Sequence, residues 1–152
     1  MRDCLFVSYS HRDRRWRDRL AVHLKPLERA GMFKRWDDTE LEAGDVWAAH
    51  IEQAIASARV AILLVSADFL ASDFINAQEL PPLLEAAERD EARLMAIILS
   101  ESLYADTPAL AKFQSVNPPS NPVDRMKKAD QESVFRQAAQ AAARAFSSRP
   151  ER

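Results

Sequence analysis

One glutamate stands where a carboxylate can do chemistry. Glu79 lies in Ser72-Asp73-Phe74-Ile75-Asn76-Ala77-Gln78-Glu79-Leu80-Pro81-Pro82, after the almost wholly apolar run Arg59-Val60-Ala61-Ile62-Leu63-Leu64-Val65. That run reads as a strand buried on both faces. The segment after such a strand sits at the carboxyl edge of a parallel sheet, where open α/β folds hold their ligands. Pro81 and Pro82 have no N–H for the carbonyls of Ala77 and Gln78, so the helix is expected to distort beside Glu79 and turn it toward a cleft. A carboxylate there can stabilise positive charge developing on a bound ligand. The plain alternative is an exposed helical glutamate, which spacing alone favours.

Other candidate ligand contacts surround it. Ser8, Tyr9 and Ser10 come after a first strand and can hydrogen-bond a ribose or phosphate, although Ser10 also suits a helix cap. Trp36 and Trp47 flank an acidic segment and can stack on a flat ring, although a Trp opening an amphipathic stripe is more often core. Asp37 and Asp38 can bind ribose hydroxyls or simply be solvated. Ser66 ends the central strand and Ser72 starts the next helix, where capping also explains it. Of Phe69 and Phe74, one can line the cleft while the other packs.

Several common chemistries are disfavoured. Gly31 and Gly44 are the only glycines and belong to neither a GxGxxG nor a GxxxxGK[ST] pattern, so the usual phosphate loops are missing. His11, His23 and His50 are scattered without metal spacing. The acidic segment from Asp37 to Asp45 does not fit an EF-hand. No metal site and no cofactor is expected. Cys4 falls in a core strand and reads as a buried, inert thiol.

Periodicity indicates the positioning elements. Cys4 to Val7 is the first strand, and Ser10 with Asp13 forms a capping-box pattern before a helix with Trp16, Leu20, Leu24 and Leu27 on one face. Gly31 ends that helix, and Pro26 predicts a kink or break near Val22 to Lys25. Met32 to Trp36 is a short second strand, and Asp37 to Asp45 a loop. Asp45 caps a helix bearing Trp47, Ile51 and Ile55 that runs to about Ala58, where the third strand begins. A helix from about Ser72 to Arg89, a turn, and a strand from Arg93 to Leu99 come next. Pro108, Pro118, Pro119 and Pro122 leave room for a fifth strand only at Phe113 to Val116, and a last helix spans roughly Lys128 to Phe146. The alternation predicts an α/β, flavodoxin-like, doubly wound sheet of five parallel strands in the order 2-1-3-4-5, with helices on both faces.

At 152 residues the chain suits one domain, here residues 1–146 with 147–152 as a tail or linker to a possible downstream domain. Twenty-one Lys and Arg against 23 Asp and Glu give a formal charge of -2, which exerts no pull on nucleic acid or anionic membrane. A single cysteine, no signal-peptide core and no apolar run near the ~20 residues of a membrane span point to the cytoplasm.

Three segments together carry a resemblance. Phe6-Val7-Ser8-Tyr9-Ser10, the loop from Trp36-Asp37-Asp38 to Gly44-Asp45-Val46-Trp47, and Val65-Ser66-Ala67-Asp68-Phe69-Leu70-Ala71-Ser72 followed by Glu79-Leu80 resemble a bacterial Toll/interleukin-1 receptor (TIR) domain over about residues 3–146. The resemblance implies the flavodoxin-like fold and a loop, Asp37 to Asp45, that shapes both the ligand cleft and self-association. It also implies that Glu79 aligns with the glutamate many bacterial members use to cleave NAD⁺ between nicotinamide and ribose. That chemistry suits a lone carboxylate: nicotinamide departs neutral, so the useful group is a negative charge near the oxocarbenium-like ribose. Many active members carry a Trp four residues before the glutamate, where this chain has Ile75.

The expected function is therefore an NAD⁺ glycohydrolase, with NAD⁺ as substrate, acting as the effector part of a bacterial immune or signalling protein. Its partners are other TIR domains in a homo-oligomer. The alternative is a non-catalytic interaction module that assembles through the Asp37 to Asp45 loop and has no need of Glu79. A phospho-acceptor receiver of the same topology is disfavoured, because it needs an acidic pair after strand one and an Asp after strand three, where Ser8-Tyr9-Ser10 and Ser66 stand.

Overall fold

A computed structural model of the chain describes residues 2–36 and 45–147, with 45–48 described by backbone alone. Strand β1 (Cys4–Ser8) leads through a 3-10 turn, His11–Asp13, into helix α1 (Arg14–Arg29). Next come β2 (Lys34–Trp36), α2 (Asp45–Ala56), β3 (Ala58–Val65), the short α3 (Ala67–Ala71) and α4 (Leu80–Glu88). The chain continues with β4 (Arg93–Ile98), α5 (Pro108–Ala111) and α6 (Lys128–Ser147).

All pairings are parallel, in the order β2-β1-β3-β4. The chain moves outward from β1 to β2, then returns to β3 and outward to β4, so its direction of winding reverses between β1 and β3. At such a reversal the flanking loops part and leave a crevice beyond the strand ends. The apolar run of β3 is buried on both faces: Val60, Ile62 and Leu64 join a core with Leu20, Leu24 and Phe135 of α1 and α6. Ala61, Leu63 and Val65 join a second core with Ile51, Phe69 and Leu83. At about 25 cal/mol per Å² of buried apolar surface, two such layers are the principal stabilising contribution.

The predicted fifth strand is corrected. Among the described residues the sheet has four strands, and the fifth position holds an isolated parallel bridge, Ala96 with Ser115. Ala96 N–H donates to Gln114 O at 3.4 Å and Val116 N–H to Ala96 O at 2.7 Å. Beyond Val116 a side chain continues the ladder. The Asn117 amide, 3% exposed, accepts from Ile98 N–H at 3.0 Å and donates to Ile98 O at 2.9 Å. Pro118 and Pro119 come immediately after and cannot supply ladder N–H groups, so an amide side chain completes what the backbone cannot.

Of the kink or break expected near Val22 to Lys25, the break does not occur. Helix α1 runs to Arg29 with Pro26 in its last turn. The carbonyl that loses its partner belongs to Val22, which is 54% exposed, so water can replace the missing donor. Gly31, at φ 79°, comes after the helix as the sequence suggests.

Helices α1 and α6 are joined by a charged clamp. Arg19 donates to both oxygens of Glu132, at 2.7 and 2.6 Å, and His23 Nε2 lies 3.0 Å from the same carboxylate. The Arg19 bond, chiefly, holds the Glu132 carboxyl down from 4.5 to about 2. A depressed carboxylate stabilises the fold above its ordinary value, and that stability is lost as pH falls from 4.5 toward 2. Glu132→Gln should therefore lower the urea midpoint at pH 7 and make the variant's loss shallower than wild type across that window. Midpoints measured at a series of pH values check this; parallel curves would remove the clamp from acid unfolding.

Candidate active site

The carboxyl ends of β1 and β3 flank the reversal point, and each carries a serine bonded to a carboxylate. Ser8 ends β1 and pairs in register with Leu63 of β3. Its hydroxyl donates to Glu79 Oε1 at 2.6 Å, across 71 residues of chain. Ser66, directly after β3, donates to Asp13 Oδ2 at 2.5 Å and accepts from Phe69 N–H at 3.0 Å. Burial raises the Asp13 carboxyl above its usual range, and the Ser66 hydroxyl offsets part of that rise.

Glu79 reaches Ser8 because the backbone before it is π-helical. Over Ile75–Glu79 the helix widens, and Leu80 N–H bonds to Ile75 O, five residues back. Pro81 and Pro82 begin the next turn without N–H groups, so the ladder is already interrupted there. A π-turn is a local insertion that changes the direction of every later side chain, and such turns recur at functional sites. The distortion expected beside Glu79 is present. The carboxylate is not at an open mouth, however. It is 1% exposed, tucked under the end of β1, and any ligand must displace its cover to touch it.

The remaining candidates divide sharply. Ser8 meets Glu79. Trp36 stacks on Phe6, with ring centroids 5.2 Å apart and planes 8° from parallel, on the Phe6 side of the sheet and two residues before Ser8 in register. Ser66 belongs to the neighbouring Asp13 bond and caps α3. Tyr9, 1% exposed, turns to the α1–α6 side of the sheet, where the Arg17 guanidinium lies over its ring. Ser10 accepts from Arg12 N–H at 3.3 Å, a local cap. Phe69, fully buried, is core, and Ser72 accepts from Ile75 N–H at 3.2 Å as a cap. Asp37, Gly44 and the predicted loop between them lie outside the described residues, as does the side chain of Trp47, while Asp45 opens α2.

Two features escape sequence reasoning. Asp13 suits the second half of a capping box by its spacing; its side chain instead crosses to Ser66, and nothing local in the sequence announces that. Helix α3 is also unexpected, although Ser66 three residues before Phe69 is itself a cap signature. The Cys4 thiol is buried and pushed up to about 12, as expected of an inert core cysteine. A large groove of about 810 Å³ lies elsewhere on this edge, lined by Ala67, Leu70, Glu101, Leu103 and Pro119, and includes no predicted site residue. Among the described residues no helix is long and apolar enough to cross a membrane, and no acidic, His or Cys cluster could hold a metal.

Comparison with known proteins agrees with the fold. A family model described as TIR domain matches residues 5–134. The protein y4lF of Sinorhizobium fredii (strain NBRC 101917 / NGR234) is 33% identical over 137 residues, covering 90% of this chain and 42% of that protein. The chain thus spans about two-fifths of that relative's length. Among solved structures, the TIR domain of the Toll-related receptor TRR-2 from Hydra magnipapillata superposes with a TM-score of 0.54 at 19% identity, covering 92% of this chain and 97% of that one. The TIR domains of the activated Roq1 resistosome, which directly recognizes the pathogen effector XopQ, superpose with a TM-score of 0.52 at 21% identity, covering 93% and 84%. Both likenesses concern the fold.

Proposed function

The chain belongs to the TIR domain family, and from that premise we propose that it is an NAD⁺ glycohydrolase, the cytoplasmic effector part of a longer bacterial immune or signalling protein. The observation that carries this reading is the Glu79 carboxylate, brought by a π-turn beneath the end of β1 at the reversal point and held there by Ser8 at 2.6 Å. A fixed carboxylate in a water-poor crevice suits an oxocarbenium-like ribose better than a mobile one in solvent, because no reorganisation is needed as charge develops. The Ser8 hydroxyl fixes the orientation of the carboxylate, and nicotinamide, leaving as a neutral base, needs no acid from the protein. Incubating concentrated protein with NAD⁺ and measuring nicotinamide release tests the reading directly; no release from assembled protein would remove it.

The burial of Glu79 adds a condition. A carboxylate 1% exposed cannot contact a ribose until something moves, and contact with further TIR domains is the proposed trigger, ordering an open site at an entropic cost the isolated domain does not meet. Specific activity should then rise with protein concentration. A rate per molecule that stays flat from dilute monomer to assembled protein would refute the trigger. The same burial favours a second reading, in which Glu79 only ties its helix to β1 and the domain acts as a non-catalytic assembly module.

A further inference from the structure

We propose that the opposite, amino-terminal edge of the sheet holds a second site, for a phosphorylated sugar, built on Arg59, Arg93 and Asp90. It stands apart from the Glu79 reading, because the eight residues of β3 separate the two edges by about 20 Å.

Arg59 reaches this site through a backbone irregularity. In the β1–β3 register Cys4 faces Ala58 but Leu5 faces Val60, so Arg59 is the extra residue of a bulge, a device that re-aims a side chain. Its Nε is buried and has no hydrogen-bond partner. In a structure whose other buried side-chain polar groups are largely satisfied, that orphan donor belongs to a residue lining a cavity of about 390 Å³. Arg93, beside Val60 in the β3–β4 register, lines the same cavity with Asp90 and Phe113. An adjoining cavity of about 270 Å³ shares Arg93 and adds Arg144 of α6. No ion pair joins Arg59, Arg93 or Arg144 to a described carboxylate. Unneutralised guanidinium groups, Arg59 and Arg93 in one cavity and Arg144 in the adjoining one, present the planar, multi-donor surface that phosphate oxygens fill.

Asp90 sets the rest of the ligand. It comes after α4 at φ 60°, a left-handed position that glycine fills most easily, yet a carboxylate stands there. It lines the cavity without pairing to either arginine, so it is available to accept from hydroxyls, and its charge disfavours a bare polyanion. Phosphate for the guanidiniums and hydroxyls for Asp90 describe a sugar phosphate.

The test is a titration of the full ¹⁵N-labelled chain, monitored by amide shifts, with ribose 5-phosphate, inorganic phosphate and ribose. Ribose 5-phosphate is expected to give saturable shifts around residues 59 and 90–93, inorganic phosphate weaker ones, and ribose none. Arg93→Gln, at an exposed position that leaves the core intact, should weaken ribose 5-phosphate about tenfold or more, as loss of a charged hydrogen bond does, and Arg59→Gln likewise. Asp90→Asn, which tolerates the left-handed backbone, should weaken ribose 5-phosphate but not inorganic phosphate. The Glu79→Gln protein should bind as wild type does. No saturable shift, shifts unchanged in Arg93→Gln, or inorganic phosphate binding as tightly as the sugar phosphate would each overturn the proposal.

Discussion

Glu79→Gln is expected to reduce nicotinamide release by ~100-fold or more while leaving the melting temperature near that of wild type. The substitution keeps the side-chain volume at a site that is 1% exposed, and the amide oxygen can still accept from the Ser8 hydroxyl. The loss is the negative charge, which matters only if positive charge develops beside it. A variant that stays folded, binds NAD⁺ with unchanged affinity and does not turn over is the outcome the glycohydrolase reading requires. Wild-type turnover in the variant would strip Glu79 of a catalytic role. If the wild type itself releases no nicotinamide even when assembled, the assembly-module reading takes over, and the two proteins should then assemble alike.

Phe69→Ala should cost about 3–5 kcal/mol of stability, the range for deleting a fully buried aromatic side chain. Phe69 is 0% exposed and packs in the core layer with Val65, Ile75 and Leu83, while its N–H fixes Ser66. Against a typical total of about 5–15 kcal/mol, that loss leaves a marginal domain. Urea unfolding of the variant measures it. A small change in midpoint with a marked loss of NAD⁺ affinity would instead return Phe69 to the ligand cleft, where its place after the strand suggests it.

Legibility in the sequence tracks the range of the interactions concerned. Parallel topology is legible because the doubly buried β3 and the alternation of periods are local patterns repeated along the chain. Glu79 is legible for two local reasons, its position after that strand and the proline pair behind it. Its burial is not, since that depends on Ser8, 71 residues away, and on a π-turn that no propensity specifies. Asp13 misleads because a capping box and a cross-chain bond to Ser66, 53 residues on, share the same letter at the same position. Tyr9 and Phe69 illustrate a different ambiguity. An aromatic residue just past a strand end can point to the cleft or back into a layer, and only the packing around it decides. The fifth strand stops at a single bridge for a stereochemical reason: Pro118 and Pro119, directly after Asn117, cannot supply the donors that would extend it, and the Asn117 amide substitutes for them.

That asparagine bears on how copies of this domain can polymerise. On one side the outer groups of β4 at Ala96 and Ile98 are already taken by Gln114, Val116 and the Asn117 amide; on the other, β2 offers a strand of three residues. An unpaired strand edge is the template on which chains add to one another without limit, as in amyloid. Among the described residues neither flank supplies a template of useful length. On the proposed assembly reading, copies would meet through helix faces and connecting segments rather than by strand addition, and contacts of that kind are discrete ones that dilution is expected to reverse.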